Sequence, residues 1–80
     1  MTVRGWWNRP VILWTGYAEH RVTSTAEAER LLVEDWPGQQ SALYIQAYNA
    51  CAAARETGNH EYARRAFLRA ARELNLVDAG

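Results

Sequence analysis

PVILWTGYAEHRVTSTAE, residues Pro10 to Glu27, contains the change of period that decides the fold. From Val11 to Thr15 the chain is β-branched, branched or aromatic at each step, with Val11 and Leu13 on one face and Ile12 and Trp14 on the other. Gly16-Tyr17-Ala18-Glu19 reads as a four-residue connection, and His20 to Ser24 as the return strand of a hairpin. Ser24-Thr25-Ala26-Glu27 then forms a capping box. The Ser24 hydroxyl is placed to accept from the amide of Glu27, and the Glu27 side chain to reach back toward the cap. A lone hairpin is marginal in water, so a helical layer has to cover one of its faces.

Working outward toward the C-terminus, the first helix is predicted from Thr25 to about Asp35, with Ala28, Leu31, Leu32 and Asp35 on one stripe. Trp36-Pro37-Gly38 ends it, because Pro37 disfavours helical geometry at Trp36; the indole is free to fold back onto the core. A second helix runs from about Gln40 to Glu56 and presents Leu43, Tyr44, Ala47, Ala50, Cys51 and Ala54 on one wide apolar face. Thr57-Gly58 closes it and Asn59 caps a third helix, His60 to about Leu74, whose apolar stripe is Ala63, Ala66, Phe67, Ala70 and Leu74. Leu76-Val77 suggests a short extended segment. Working toward the N-terminus, residues 1–9 show no period and read as an aromatic segment. The 80 residues are thus one domain: the aromatic segment, a hairpin over 10–24 and helices over 25–76. The predicted class is α+β, an antiparallel hairpin packed against three helices, the last two an antiparallel helical hairpin.

Composition supports a thin, helix-rich core. Fourteen residues are Ala and fourteen are Val, Ile or Leu, so the nine aromatics must supply much of the buried area. Formal charge is zero, and all nine basic residues are Arg. A neutral chain lacks the excess positive charge that drives non-specific binding to nucleic acid or anionic lipid. A single cysteine cannot form an internal disulfide. No leader-like apolar region stands at the start, and no apolar run approaches the roughly 20 residues of a membrane span. The expected location is the cytoplasm.

Pro10-Val11, Trp36-Pro37, Ala47 with Cys51, and Ala63-Arg64-x-Ala66-Phe67-x-x-Ala70-Ala71 occur in an order and spacing similar to the family catalogued as domain of unknown function 982. The resemblance covers roughly Pro10 to Leu76. It departs from the family pattern at Ser41, where the pattern has Gly, and in the extra pair Trp6-Trp7. It implies a small α+β domain and supplies no activity, substrate or catalytic residue.

The residues that carry chemistry are scattered. Cys51 falls mid-helix inside an apolar stripe, where a free Cys behaves as a small hydrophobe. His20 and His60 stand forty residues apart with no ligand-spaced neighbour, so no metal and no cofactor are expected. Glu27, Glu29, Glu34 and Asp35 read as mostly water-facing. No phosphate-binding glycine loop and no nucleophile elbow is present. An enzyme of unrecognised type would need a polar pocket that so small a chain offers little to build.

Two surface features remain. Trp6, Trp7, Ile12, Trp14 and Tyr17 crowd the hairpin region, and large exposed aromatics mark interfaces; in the competing reading, Trp6 and Trp7 fold over the sheet and cover it. Arg65, Arg69 and Arg72 form a basic stripe on the third helix, partly neutralised by Glu61 and Glu73 at helical spacing. The sequence therefore points to a non-catalytic protein-interaction module that binds a protein partner, or a second copy of itself, through the aromatic hairpin face. The alternative is a nucleic-acid-associated or regulatory protein using the Arg65, Arg69, Arg72 stripe.

Overall fold

The computed structural model describes residues 6–15 and 18–77. Element order is β1 (Trp6–Thr15), β2 (Ala18–Ser24), α1 (Thr25–Glu34), α2 (Ala42–Thr57) and α3 (His60–Glu73). This is the expected α+β class, with α2 and α3 packed as a helical hairpin.

The two strands pair antiparallel in one two-stranded sheet, with Val11 opposite Val22, Leu13 opposite His20 and Thr15 opposite Ala18. β2 begins at Ala18, inside the expected four-residue connection; Tyr17, expected at the interface, lies outside the described residues. The N-terminal segment also needs correction, because β1 begins at Trp6 rather than Pro10. Between Trp6 and Val11 the register shifts: β1 advances five residues while β2 advances two, from Ser24 to Val22. The extra residues of β1 lie between Trp6 and Val11, a stretch that includes Pro10, which has no N–H for the ladder. A bulge breaks the two-residue period, which is why residues 6–9 show no strand pattern.

Trp7, expected at an interface, is a core residue and only 8% exposed. Its Nε1–H donates to Thr25 Oγ1 at 3.0 Å, and its ring stands 5.8 Å from that of Phe67. Val11, Leu13 and Val22 complete the inner face of the hairpin.

Each helix starts at a side-chain cap. Ser24 Oγ accepts from Glu27 N at 3.2 Å, and the Glu27 carboxylate takes the Thr23 hydroxyl at 2.6 Å. Ser41 Oγ accepts from Tyr44 N at 3.2 Å. The departure from Gly at position 41 is thus an N-cap position, where Ser and Gly are both favoured. Asn59 Oδ1 accepts from Tyr62 N at 3.3 Å. Trp36 folds back as predicted, its ring 5.9 Å from Tyr44 and 5.8 Å from Phe67. Ala47, Ala50 and Ala54 on α2 and Ala63, Ala66 and Ala70 on α3 are buried, and these small residues let the two helices approach closely.

Past α3 the chain reverses. Asn75 adopts φ 57°, Asn75 N donates to Arg72 O at 3.0 Å and Leu76 N to Ala71 O at 3.0 Å. This left-handed cap carries Leu76 back to the sheet, where its carbonyl accepts from Trp14 N at 2.7 Å. Leu76-Val77 therefore touches the outer edge of β1 through a single backbone bond and adds no third strand.

Candidate functional site

On the sheet face turned away from the helices, Trp14 is 50% exposed and sits opposite Glu19; Ile12 is exposed and sits opposite Arg21. Trp6 is also exposed. The aromatic group expected from sequence thus divides into Trp6, Ile12 and Trp14 outside and Trp7 inside.

Beside the outer edge of β1 runs α3. Its residues Arg64, Leu68 and Arg72 face Arg9, Ile12 and Trp14 across a groove of about 310 Å³ that Val77 also lines. Trp7 of β1 rests on Phe67 of α3, and Trp14 is bonded to Leu76 just past the end of that helix. No carboxylate lines it. Arg64 is held from outside by Glu61, through Nε at 3.1 Å and Nη2 at 2.8 Å. That bidentate hydrogen bond keeps the Glu61 carboxyl below its ordinary range and raises the Arg64 guanidinium, which stays charged. Arg9 and Arg72 make no ion pair with a described residue.

The predicted basic stripe is redistributed. Only Arg72 of the three lines the groove; Arg65 joins Glu61 at 3.1 Å, and Arg69 is exposed on α3 outside the groove. The residues that sequence reasoning missed are Arg9, Arg64 and Leu68. A helical projection groups Arg65, Arg69 and Arg72, but which flank of α3 meets the hairpin is decided by the packing of Trp7 and Leu76. The expected pair between Glu73 and Arg69 is replaced by a hydrogen bond from the Ser41 hydroxyl to Glu73.

A second polar cluster ties the hairpin to all three helices. Thr25 Oγ1 accepts from Trp7 and lies 2.8 Å from His60 Nδ1. Because Trp7 is the donor in the first bond, the Thr25 hydroxyl proton is available for Nδ1. Glu29, expected to face water, is buried at 9% exposure and paired with Arg55 of α2. It sits on the side of α1 that leans on α2, one turn past Thr25. No buried side-chain polar atom among the described residues lacks a partner, so the cluster is satisfied within the fold.

Cys51 is fully buried. Burial first, and the neighbouring Glu29 charge second, push its thiol up to about 12, with Arg55 pulling the other way. At neutral pH it is a protonated packing residue. Among the described residues no three His, Cys, Asp or Glu stand together as metal ligands, and no helix is long and apolar enough to cross a membrane.

Over residues 9–77 the chain matches the family model described as Protein of unknown function (DUF982). The chain belongs to the DUF982 family. No curated protein and no solved structure matches it. In this DUF982 chain every groove residue, from Arg9 to Val77, falls inside the matched span, and Trp6 and Trp7 precede it.

Proposed function

We propose that this DUF982 chain is a non-catalytic protein-interaction module that docks an acidic protein partner at the β1 edge. Ile12 and Trp14 supply the apolar contact; Arg9, Arg64 and Arg72 supply the polar rim. The observation that carries this reading is the half-exposed indole of Trp14 beside a groove whose charged lining is entirely cationic. A large aromatic bordered by arginines is the composition of an interface hot spot. The chain as a whole is neutral, which favours a local acidic partner over a polyanion.

The test compares wild-type protein with Trp14→Ala, each immobilised and exposed to nuclease-treated and untreated lysate of the source cells. A stoichiometric protein retained after nuclease, and lost with Trp14→Ala at unchanged helix content, supports the reading. Retention that ignores Trp14, or that vanishes with nuclease, overturns it. The second outcome transfers the site to nucleic acid. A Trp14-dependent doubling of the mass in solution would replace the external partner with a second copy.

A further inference from the structure

We infer that the groove takes its partner as an extended strand with the pattern acidic–x–apolar–x–acidic, added to the outer edge of β1. The inference rests on the interaction reading above and specifies its ligand.

The backbone comes first. Trp14 N donates to Leu76 O, so the Trp14 amide faces away from β2. Ile12, two residues earlier on the same strand, presents its N–H and C=O to the same side. Among the described residues nothing bonds Ile12 there. The edge thus already holds one backbone acceptor and leaves the next ladder position open, the geometry of strand addition.

The side chains set the pattern. Arg64, Leu68 and Arg72 stand four residues apart on α3, and at 1.5 Å rise per residue their axial spacing is about 6 Å. Alternate residues of an extended strand are about 6.6–6.8 Å apart. The two spacings are commensurate over three positions. A strand in the groove can set one carboxylate toward Arg9 and the Arg64 nitrogen that Glu61 leaves free, one toward Arg72, and an apolar side chain between them over Leu68. The intervening residues face away. Base stacking on Trp14 would not require this spacing.

Fluorescein-labelled GDSLSDG is the probe, titrated with the full chain at 0.15 M salt and read by anisotropy, with backbone NMR shifts locating the contact. Saturable binding below about 1 mM is expected, with shifts at Ile12, Leu68 and Arg72. Placing the acids side by side in GSDDLSG, N-methylating the probe backbone at Leu, or changing Arg72→Gln should each weaken it about two- to fivefold. Arg72 is exposed, so its variant should keep the fold, checked by circular dichroism. Equal binding of the reordered or N-methylated peptide overturns the inference, as does tighter binding of a twelve-residue oligothymidylate. If GDSLSDG fails while Trp14-dependent partner capture succeeds, the strand pattern is wrong and the interaction reading stands. If Trp14→Ala leaves partner capture unchanged, the interaction reading falls and the strand inference with it.

Discussion

Trp6 and Trp7 are neighbours with opposite fates: one is half in water, the other bonded to Thr25 and packed on Phe67. Which of the two enters the core was not legible, because strand parity cannot be counted back through the register shift between Trp6 and Val11. Cys51 was legible, since an apolar helical stripe specified its surroundings. Its thiol should react with a disulfide reagent only at the rate of unfolding at pH 8; fast labelling of folded protein would contradict this. The alkaline limb follows by linkage. The folded thiol titrates near 12, against an ordinary 9.0. Above pH 9 the unfolded chain therefore releases a proton that the folded chain keeps. The stability held below pH 9 is lost progressively as pH rises toward 12. Cys51→Ala should flatten that decline in urea unfolding measured from pH 8 to 11. Glu29 was misread as solvated because nothing in α1 alone announces Arg55. Arg55→Gln leaves a nearly buried carboxylate without its cation and should cost about 1–2 kcal/mol, less than for a fully buried pair because Arg55 is exposed. Chemical denaturation would measure it.

At the level of the elements, the starts of α1 and α3 were legible because Ser24 and Asn59 cap them through their own side chains, whereas α2 was expected two residues early because its cap, Ser41, reads as part of the helix. The ends were legible for the same kind of reason: Pro37 and Gly58 cannot be mistaken for helix interior. Gly58 has φ +76° and nothing within 4 Å of where a Cβ would stand. Gly58→Ala should therefore lower stability by about 1 kcal/mol through backbone strain alone, with no packing defect. Asn59→Ala should cost about as much by leaving the Tyr62 amide uncapped. Thermal unfolding of the two single variants tests both figures. The strands were less legible than the helices. Their boundaries depend on cross-strand register and the bulge, which are non-local.

For the molecule as a whole, a chain of alanine-lined helices concentrates its large buried side chains at one place. Phe67 touches both Trp7 and Trp36 and is fully buried, joining β1, the loop after α1 and α3. Phe67→Ala should cost about 3–5 kcal/mol, a large share of the total stability of so small a domain. At 37 °C the variant should show a loss of near-ultraviolet dichroism; a change under 1 kcal/mol would show that the core is not centred there. The class and core stripes followed from local periodicity. The groove did not, since it exists only where β1 and α3 are brought side by side. The turn at Asn75 has a consequence for motion. One backbone hydrogen bond to the strand, worth about 1 kcal/mol net, and the partly buried side chains of Leu76 and Val77 fasten the last described residues. That fastening should open far more often than the molecule unfolds. In deuterated water the Trp14 amide should lose its proton well before that of Leu13, one residue away but turned toward β2. The two rates, read side by side, would give the fraction of time for which the edge of the sheet stands bare.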